Sequence, residues 1–364
     1  MPKFLHTADW HIGLRARHAG ARGAALRVVR LESAKAILNL AVSEAADFIL
    51  IAGDLFDHPD VERGTIDELV NILNQSRVPI FVIPGNHDPL LPMSVWESQS
   101  WKSRLGHVRF LDVPGPVDAP GGCTLFACPI FQKTSIEDPT AWIPDRQTGD
   151  RSVRIGLAHG SLKILNEQTP MEFPIATDRA AKAGLDYLAL GDWHGMRIVG
   201  ATAYPGTHEQ TSFADRESGN VLVVEIAEAG AVPVIRPHRV GKCVWARIDR
   251  TVRDLTDVEA LRSEIRQLGP VESLVLDLSL RVSPDARPET IQARRELTAQ
   301  LSDAFWLQTK AEEFSLAEAV ERIPDGYLRG VFEALSHPGE NGLSIETATE
   351  AQTWMAELAV RVAR

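Results

Sequence analysis

Side chains that commonly bind metal ions recur in five clusters along this chain, and each cluster follows a short apolar run. The clusters are Asp9-Trp10-His11, Gly53-Asp54, Gly85-Asn86-His87-Asp88, His159-Gly160 and Gly191-Asp192-Trp193-His194. Carboxylate and amide oxygens combined with imidazole nitrogens suit Mn²⁺, Fe²⁺ or Zn²⁺ better than Ca²⁺. Each cluster alone is also typical of a strand-ending turn, and it is their recurrence that predicts a metal site.

The number of potential ligands indicates how many ions this site holds. Seven residues qualify, namely Asp9, His11, Asp54, Asn86, His159, Asp192 and His194. They exceed the needs of one tetrahedral ion, so two ions bridged by one carboxylate fit better. Two ions about 3.5–4 Å apart can hold a hydroxide, polarise a phosphoryl oxygen and neutralise the charge that develops during in-line displacement.

The apolar runs before the clusters predict buried strands. They span residues 3–5, 48–51, 80–83, 153–157 and 187–190. Apolar residues at helical spacing between Leu26 and Ala45 predict a helix between the first two strands, and the alternation continues beyond them. Because strands of a layered α/β fold end at a shared rim, the clusters are expected to converge there.

Charge gives opposing indications about the substrate. The chain has 364 residues and a net charge of −11, which argues mildly against a nucleic-acid ligand. Between residues 11 and 35, six basic residues against Glu32 give a local charge of +5. The basic residues are Arg15, Arg17, Arg22, Arg27, Arg30 and Lys35. This segment is either a basic face beside the site or an ordinary solvated helix face.

Cysteine usage and hydropathy predict a cytosolic protein with no membrane association. Cys123, Cys128 and Cys243 lack the C-x2-C spacing of a zinc knuckle, so reduced thiols are expected. Residues 1–11 lack an apolar signal core. No run approaches the roughly 20 apolar residues that span a bilayer.

The length of the chain and its 44% hydrophobic content predict two domains. Strand-like segments up to about residue 226 would complete a first α/β domain, 1–240. Alternating strand-like and helical segments then predict a small α+β domain, 241–338, and a helical tail, 339–364. In the tail, an apolar face typical of either core packing or partner docking is formed by Ala351, Trp354, Met355, Leu358 and Val362.

The order of the five clusters resembles the calcineurin-like metallophosphoesterase superfamily. Residues 6–13 (HTADWHIG) and 52–57 (AGDLFD) resemble the SbcD-type DNA repair nucleases most. The resemblance covers about residues 1–240 and implies a two-sheet α/β sandwich flanked by helices, with DNA as substrate. It also implies a small α+β cap and a C-terminal segment that docks an SbcC-type ATPase, and it leaves open whether the chain forms a homodimer.

The resemblance implies a role for each cluster residue. One ion, most commonly Mn²⁺, would be held by Asp9, His11 and His194, the other by Asn86, His159 and Asp192, with Asp54 bridging both. His87 would be catalytic, contacting the scissile phosphate and helping the leaving oxygen depart, because imidazole can give a proton near neutral pH. Asp88 would orient His87.

Two departures from the family pattern bear on the site. The fifth motif usually reads Gly-His-x-His, but Asp192 stands at the first histidine, so the second ion is expected to bind with altered geometry unless water fills that place. Residues 205–209 (PGTHE) replace a Ser-Gly-Ser type of sequence, and His208 is either a substrate contact or a plain loop residue. Arg15 and Arg17 are further candidates to contact DNA.

Three functions are compatible with these features. The first is a Mn²⁺-dependent DNA phosphodiesterase, exo- or endonucleolytic, with a metal-bridging hydroxide as nucleophile. The second is a hydrolase of small phosphodiesters or monoesters, because the ligand set alone does not select a polymer. The third is a catalytically weak DNA-binding subunit of an SbcC-like ATPase complex, because Asp192 replaces a histidine.

Overall fold

The chain forms two compact units, Met1–Cys243 and Val244–Arg364. The computed structural model describes residues 1–15, 23–104, 106–163, 172–283, 286–310 and 326–337, and residues 342, 344, 345, 347, 348, 351, 352, 354 and 355. Among the helices in these ranges, none has the length and apolar character needed to cross a bilayer.

The first unit contains two six-stranded sheets. One comprises β1 (Lys3–Thr7), β2 (Phe48–Ala52), β3 (Ile80–Ile83), β4 (Val108–Phe110), β11 (Asn220–Glu225) and β12 (Val234–Arg239), in the order β12-β11-β1-β2-β3-β4. The other comprises β5 (Gly115–Ala119), β6 (Cys123–Cys128), β7 (Val153–His159), β8 (Tyr187–Gly191), β9 (Arg197–Val199) and β10 (Thr202–Tyr204), in the order β5-β6-β7-β8-β10-β9. Strands β1 to β4 are parallel to one another, as are β6 to β8.

Alternating side chains of the inner strands fill two different cores. Phe48 and Leu50 of β2 pack between the two sheets in a cluster that includes Leu157 of β7. The intervening Ile49 and Ile51 pack on the opposite face of the first sheet. This alternation follows from the period of two along a strand. Each large apolar side chain that is fully buried contributes about 1.5–3 kcal/mol relative to exposure.

Helices cover the outer faces of both sheets. The first unit contains α1 (Gly23–Ser43), α2 (Arg63–Leu73), α3 (Gln99–Arg104) and α4 (Arg179–Ala183). Ile37 of α1 and Leu69 of α2 pack on the first sheet, and Ala183 of α4 packs with Leu188 beside the second. The predicted two-sheet α/β sandwich flanked by helices is confirmed.

The second unit contains a parallel three-stranded sheet. Its elements are β13 (Val244–Val252), α5 (Leu255–Leu268), β14 (Leu274–Val282), α6 (Pro288–Gln300), β15 (Trp306–Lys310) and α7 (Tyr327–Leu335). The Asp254 carboxylate caps α5 by accepting from the Asp257 N–H at 3.0 Å. Leu358 and Val362 of the predicted tail lie outside the described residues. The division into 1–240, 241–338 and 339–364 stays a prediction.

Candidate metal centre

The five clusters lie at the carboxyl ends of parallel strands. β1, β2 and β3 are neighbours in the first sheet and end shortly before Asp9, Asp54 and Asn86. β7 and β8 are neighbours in the second sheet, where His159 pairs with Gly191. Since the loops of both sheets meet at one rim, residues far apart in sequence come within a few ångströms of one another.

The Nε2 atoms of His11 and His194 face each other at 3.1 Å. Their other ring nitrogens face carboxylates, with His11 Nδ1 at 3.5 Å from Asp57 Oδ1 and His194 Nδ1 at 3.4 Å from Asp215 Oδ1. A carboxylate favours the ring proton on the nitrogen that it faces, so in neutral rings both Nε2 atoms would present lone pairs. Two such lone pairs repel one another, and a cation between them removes the repulsion. Carboxylate–histidine pairs of this kind are typical of metal ligands.

A second group of acceptors surrounds His159. Its Nδ1 donates to the carbonyl oxygen of Ala52 at 2.9 Å, which leaves the lone pair of a neutral ring on Nε2. That nitrogen lies 2.9 Å from Asn86 Oδ1 and 3.6 Å from Asp54 Oδ1. Two oxygens and one nitrogen therefore converge without a hydrogen among them, as metal ligands do.

Asp54 lies between the two groups. Its Oδ2 is 3.8 Å from His11 Nε2, whereas its Oδ1 faces His159 and also accepts from the His87 backbone N–H at 2.9 Å. Among the described residues, two sets of side chains have ligand atoms that all lie within 4.8 Å of one another, and Asp54 belongs to both. The sets are His11, Asp54 and His87, and Asp9, Asp54 and His159. This position is compatible with the predicted bridging role.

Asp9 is fully buried, and only one of its two carboxylate oxygens accepts a hydrogen bond from the described residues. Its Oδ1 accepts from the Asp192 backbone N–H at 3.0 Å, and its Oδ2 has no hydrogen-bond partner among the described residues. Burial raises the pKa of Asp9 well above its usual value, and the nearby Asp54 raises it further. Because an ionised carboxylate is costly to bury without a partner, this oxygen fits a metal ion. The donor set as a whole fits two divalent ions.

Backbone strain is concentrated at the same residues. Asp9, His11, Asp54 and Asp192 have φ values of 53°, 43°, 51° and 109°. Left-handed conformations cost a residue other than glycine about 1–3 kcal/mol and persist only where the surroundings enforce them. The cluster glycine Gly85 permits close approach, because a Cβ there would collide with the Asp54 carboxylate.

We expect the stability of the metal-free protein to depend on pH through these buried acids. The pKa of Asp9 and that of Asp88 are raised, chiefly by burial and then by Asp54. A carboxyl whose pKa is higher in the folded state than in the unfolded state stabilises the folded state while it is protonated. This contribution is complete below the unfolded-state pKa of about 4 and is lost as pH rises through the folded-state pKa. The metal-free melting temperature should therefore fall with rising pH, and Mn²⁺ should restore it.

Thermal denaturation with chelator and with added Mn²⁺ measures both effects. The matched variant is Asp9→Asn, which removes one titrating group. Its metal-free form should be more stable than the parent at pH 8 and should gain less from Mn²⁺. Equal Mn²⁺ responses of parent and variant at every pH would contradict this prediction.

Comparison with known proteins identifies the family. Residues 2–197, more than half of the chain, match the family model described as calcineurin-like phosphoesterase. The chain belongs to the calcineurin-like phosphoesterase family. The resemblance inferred from the five clusters is thereby confirmed.

Several curated proteins are similar to this phosphoesterase. It is 27% identical over 275 residues to the uncharacterized metallophosphoesterase YhaO of Bacillus subtilis, covering 71% of the chain and 65% of YhaO. It is 28% identical over 275 residues to the DNA double-strand break repair protein Mre11 of Aeropyrum pernix, covering 70% and 64%. It is 39% identical over 94 residues to a subunit of the nuclease SbcCD of Staphylococcus epidermidis, covering 24% and 23%. The matches span less than two thirds of these relatives' own lengths.

His87 of this phosphoesterase is exposed at the rim. Its ring lies edge-on to His11 with centroids 4.8 Å apart, and its Nδ1 donates to the carbonyl oxygen of Asp57 at 3.0 Å. The expectation that Asp88 orients His87 is not supported by this geometry. The Asp88 carboxylate is fully buried and accepts from the backbone N–H groups of Gly85 at 2.7 Å and Phe56 at 2.9 Å. Asp88 therefore fixes the loop, whereas Asp57 orients the His87 ring.

Asp192 contributes to the centre in two ways. Its backbone N–H donates to Asp9, and its carboxylate accepts a hydrogen bond from the Ser161 hydroxyl. One carboxylate oxygen is thus held by Ser161, which the sequence did not single out. Ligation of the second ion by Asp192 stays a prediction.

His208 does not face the substrate side of the site. Its side chain is fully buried, stacks on Trp10 with ring centroids 5.1 Å apart, and forms a 2.9 Å hydrogen bond through Nε2 with the carbonyl oxygen of Arg30. Burial lowers the pKa of His208 well below its usual value, and the Arg30 charge lowers it further. This buried position fits a packing role for His208, and its contact with DNA stays a prediction.

The basic segment is only partly a basic surface. Arg15 and Arg27 are exposed, and Arg17 and Arg22 lie outside the described residues. Arg30 is buried on α1, where it donates to the carbonyl oxygens of Trp10 and Glu209. Its place in line with the buried Leu26 and Ala34 of α1 is the signal that could have predicted this burial.

Thr211 and Asp215 support His194, although no pattern in the sequence pointed to them. Thr211 Oγ1 lies 3.3 Å from His194 Nδ1 and also binds the Asp215 carboxylate. Burial alone would raise the pKa of Asp215, but hydrogen bonds from His194 and Thr211 hold it well below the usual value. Asp215 is therefore ionised and can hold the His194 ring with Nε2 directed at His11.

We expect Asp215→Asn to weaken binding of Mn²⁺ by about 10- to 100-fold, since such supporting partners orient the ligand and raise its basicity. Excess Mn²⁺ should restore most of the turnover, because the ligands themselves remain. Calorimetric Mn²⁺ titration measures the affinity, with Asp118→Asn, an exposed carboxylate on β5, as the control. Unchanged affinity in Asp215→Asn would show that His194 needs no such support.

Proposed function

We propose that this phosphoesterase is a Mn²⁺-dependent phosphodiesterase that cleaves DNA with two bound ions. The observation that supports this most is the pair of acceptor groups that meet at Asp54, one around His11 and His194 and one around His159. The relatives are described as a DNA double-strand break repair protein and a nuclease subunit, which favours DNA over other phosphodiesters.

The chemistry follows from the ligand groups. When bound, two divalent ions supply Lewis-acid stabilisation of phosphoryl charge and a nucleophile at neutral pH. In the proposal one ion is held by Asp9, His11, His194 and Asp54, and the other by Asn86, His159, Asp192 and Asp54. In the proposal, proton transfer to the leaving oxygen is the role of the exposed His87.

His87 is suited to assist the leaving oxygen. Because its Nδ1–H is engaged by the Asp57 carbonyl, any proton that it transfers is held at Nε2. Its ring lies beside His11, so a phosphate at the metal centre would lie within reach of that nitrogen. General acid catalysis of this kind contributes typically about 10²- to 10⁴-fold.

Two observations favour alternative functions. The net charge of −11 and the burial of Arg30 weaken the basic surface, which favours small phosphodiesters or monoesters as substrates. The hydrogen bond from Ser161 to Asp192 favours a weakened second site, as in a DNA-binding subunit of an SbcC-like ATPase complex.

The proposal extends to the second unit and to the location of the protein. Residues 241–338 would form the cap, and the tail, 339–364, would dock the ATPase. Cys123, Cys128 and Cys243 are buried free thiols, which suits the reducing cytosol. A homodimer would be compatible with this arrangement.

One experiment separates these functions. Metal-stripped protein is incubated with labelled single- and double-stranded DNA and with a chromogenic phosphodiester, with and without Mn²⁺. Mn²⁺-dependent DNA cleavage is expected. Diester hydrolysis without DNA cleavage would assign small substrates instead, and DNA binding without any hydrolysis would assign a binding subunit.

A further inference from the structure

An exposed tryptophan stands between two residues of the metal centre. Trp193 connects Asp192 and His194 and keeps 48% of its surface exposed. The other tryptophans of the first unit are buried or partly buried, three of them completely: Trp10, Trp96 and Trp101. A large apolar ring left in water does not contribute the stabilisation of burial, and its open face is available to a ligand.

Neighbouring residues hold this ring while leaving much of it open. The Arg197 guanidinium carbon lies 5.5 Å from the Trp193 ring centroid, a cation–π contact. A Cβ at Gly195 would lie 2.5 Å from the backbone carbonyl oxygen of Arg216 and 3.2 Å from the indole nitrogen, so the absent side chain leaves room for both. The indole is therefore supported from within its own loop.

The place of Trp193 in the chain relates it to the reacting phosphate. Its Cα lies one residue, about 3.8 Å, from that of His194, which faces His11 across the proposed first metal. A phosphodiester at the metal centre carries its nucleosides on either side. A nucleoside that projects toward the loop of residues 192–194 can stack its base on an exposed aromatic ring there, as in proteins that bind single strands.

We propose that Trp193 is the stacking surface for the base beside the scissile phosphate, an inference that rests on the proposed function. A base within a duplex has both faces covered by its neighbours, so it must be unpaired or turned out of the helix to stack on the indole. Arg197 adds positive charge close to the same nucleotide. The substrate class that this selects is a DNA strand with an unpaired base at the cleaved bond.

The test uses two oligomers that differ only in their bases. One is a short oligothymidylate, and the other has the same length with tetrahydrofuran in place of every nucleoside. The parent should prefer the oligothymidylate in kcat/KM. Trp193→Ala should reduce this preference by about 5- to 150-fold, the usual value of one base–aromatic stack, and Trp193→Phe should keep most of it.

A matched control removes another exposed indole. Trp354, 64% exposed, lies in the second unit, and Trp354→Ala should keep the preference of the parent. A preference that is unchanged in Trp193→Ala would overturn the inference. Equal loss on both oligomers would also overturn it, because a general disturbance of the centre does not depend on the base.

A binding measurement separates this inference from the proposed function. Oligothymidylate is added to the metal-free parent and to Trp193→Phe, and the quenching of tryptophan fluorescence is compared. Quenching that disappears in Trp193→Phe supports stacking even if Mn²⁺ elicits no cleavage, in which case only the nuclease proposal fails. DNA cleavage by the parent without Trp193-dependent quenching would leave the nuclease proposal standing and refute stacking.

Discussion

Replacing His87 with alanine is expected to lower kcat for Mn²⁺-dependent DNA cleavage by about 10²- to 10⁴-fold. The ring is exposed, and its Nδ1 is engaged by the Asp57 carbonyl oxygen, so Nε2 is available to the leaving group. Its removal takes away proton transfer without removing a proposed ligand. Initial rates on labelled single-stranded DNA measure the loss, and metal analysis of the same samples should find the parent's Mn²⁺ content.

The metal measurement is decisive because His87 also lies within ligand distance of His11 and Asp54. If His87 were a ligand, His87→Ala would lose Mn²⁺ together with its activity. The control is His107→Ala, an exposed histidine whose backbone carbonyl, retained in the variant, accepts from Ile80. Full activity in His87→Ala would remove His87 from the mechanism.

Asp54→Asn should have the second large effect, because Asp54 faces both ligand groups. Asparagine keeps an oxygen that can accept from the His87 N–H but removes the charge next to His11 and His159. Loss of several kcal/mol of metal-derived stabilisation corresponds to a fall in rate of about 10³-fold or more. The metal-free variant should be at least as stable as the parent, since burial raises the pKa of Asp9 and the charge of Asp54 raises it further.

Calorimetric titration and Mn²⁺-dependent thermal shifts measure this outcome beside the cleavage rate. Asp60→Asn supplies the control, because that side chain is 85% exposed and pairs with His58 outside the centre. A variant that binds two Mn²⁺ ions as the parent does would refute the bridging role of Asp54.

The convergence of the five clusters could be predicted because it depends on local rules. Apolar runs of strand length end a few residues before Asp9, Asp54 and Asn86, and parallel strands end at one rim of their sheet. The two sheets and their flanking helices followed from the same alternation of strands and helices together with the family resemblance. In the second unit, the predicted alternation of strand-like and helical segments matches the observed order β13, α5, β14, α6 and β15.

The directions in which the side chains of the site point were harder to predict from the sequence than the convergence of the clusters. The sequence placed Asp88 beside His87 but not the turn that buries its carboxylate against two backbone N–H groups. The charge of Arg30 predicts a position on the surface, but its spacing of four residues from Leu26 and Ala34 places it on the buried face of α1. Thr211 and Asp215 lie in a loop without periodicity, so only the folded chain brings them to His194.

The sequence by itself determined the kind of site, since ligand types, their order and the strands before them are local properties of the chain. The tertiary structure alone decided which ring nitrogens face each other, which carboxylates support them and which polar groups are buried. Those relations depend on contacts between residues separated by up to 183 positions, such as His11 and His194. Their energies come from burial and from interactions across the rim, which no short stretch of sequence contains.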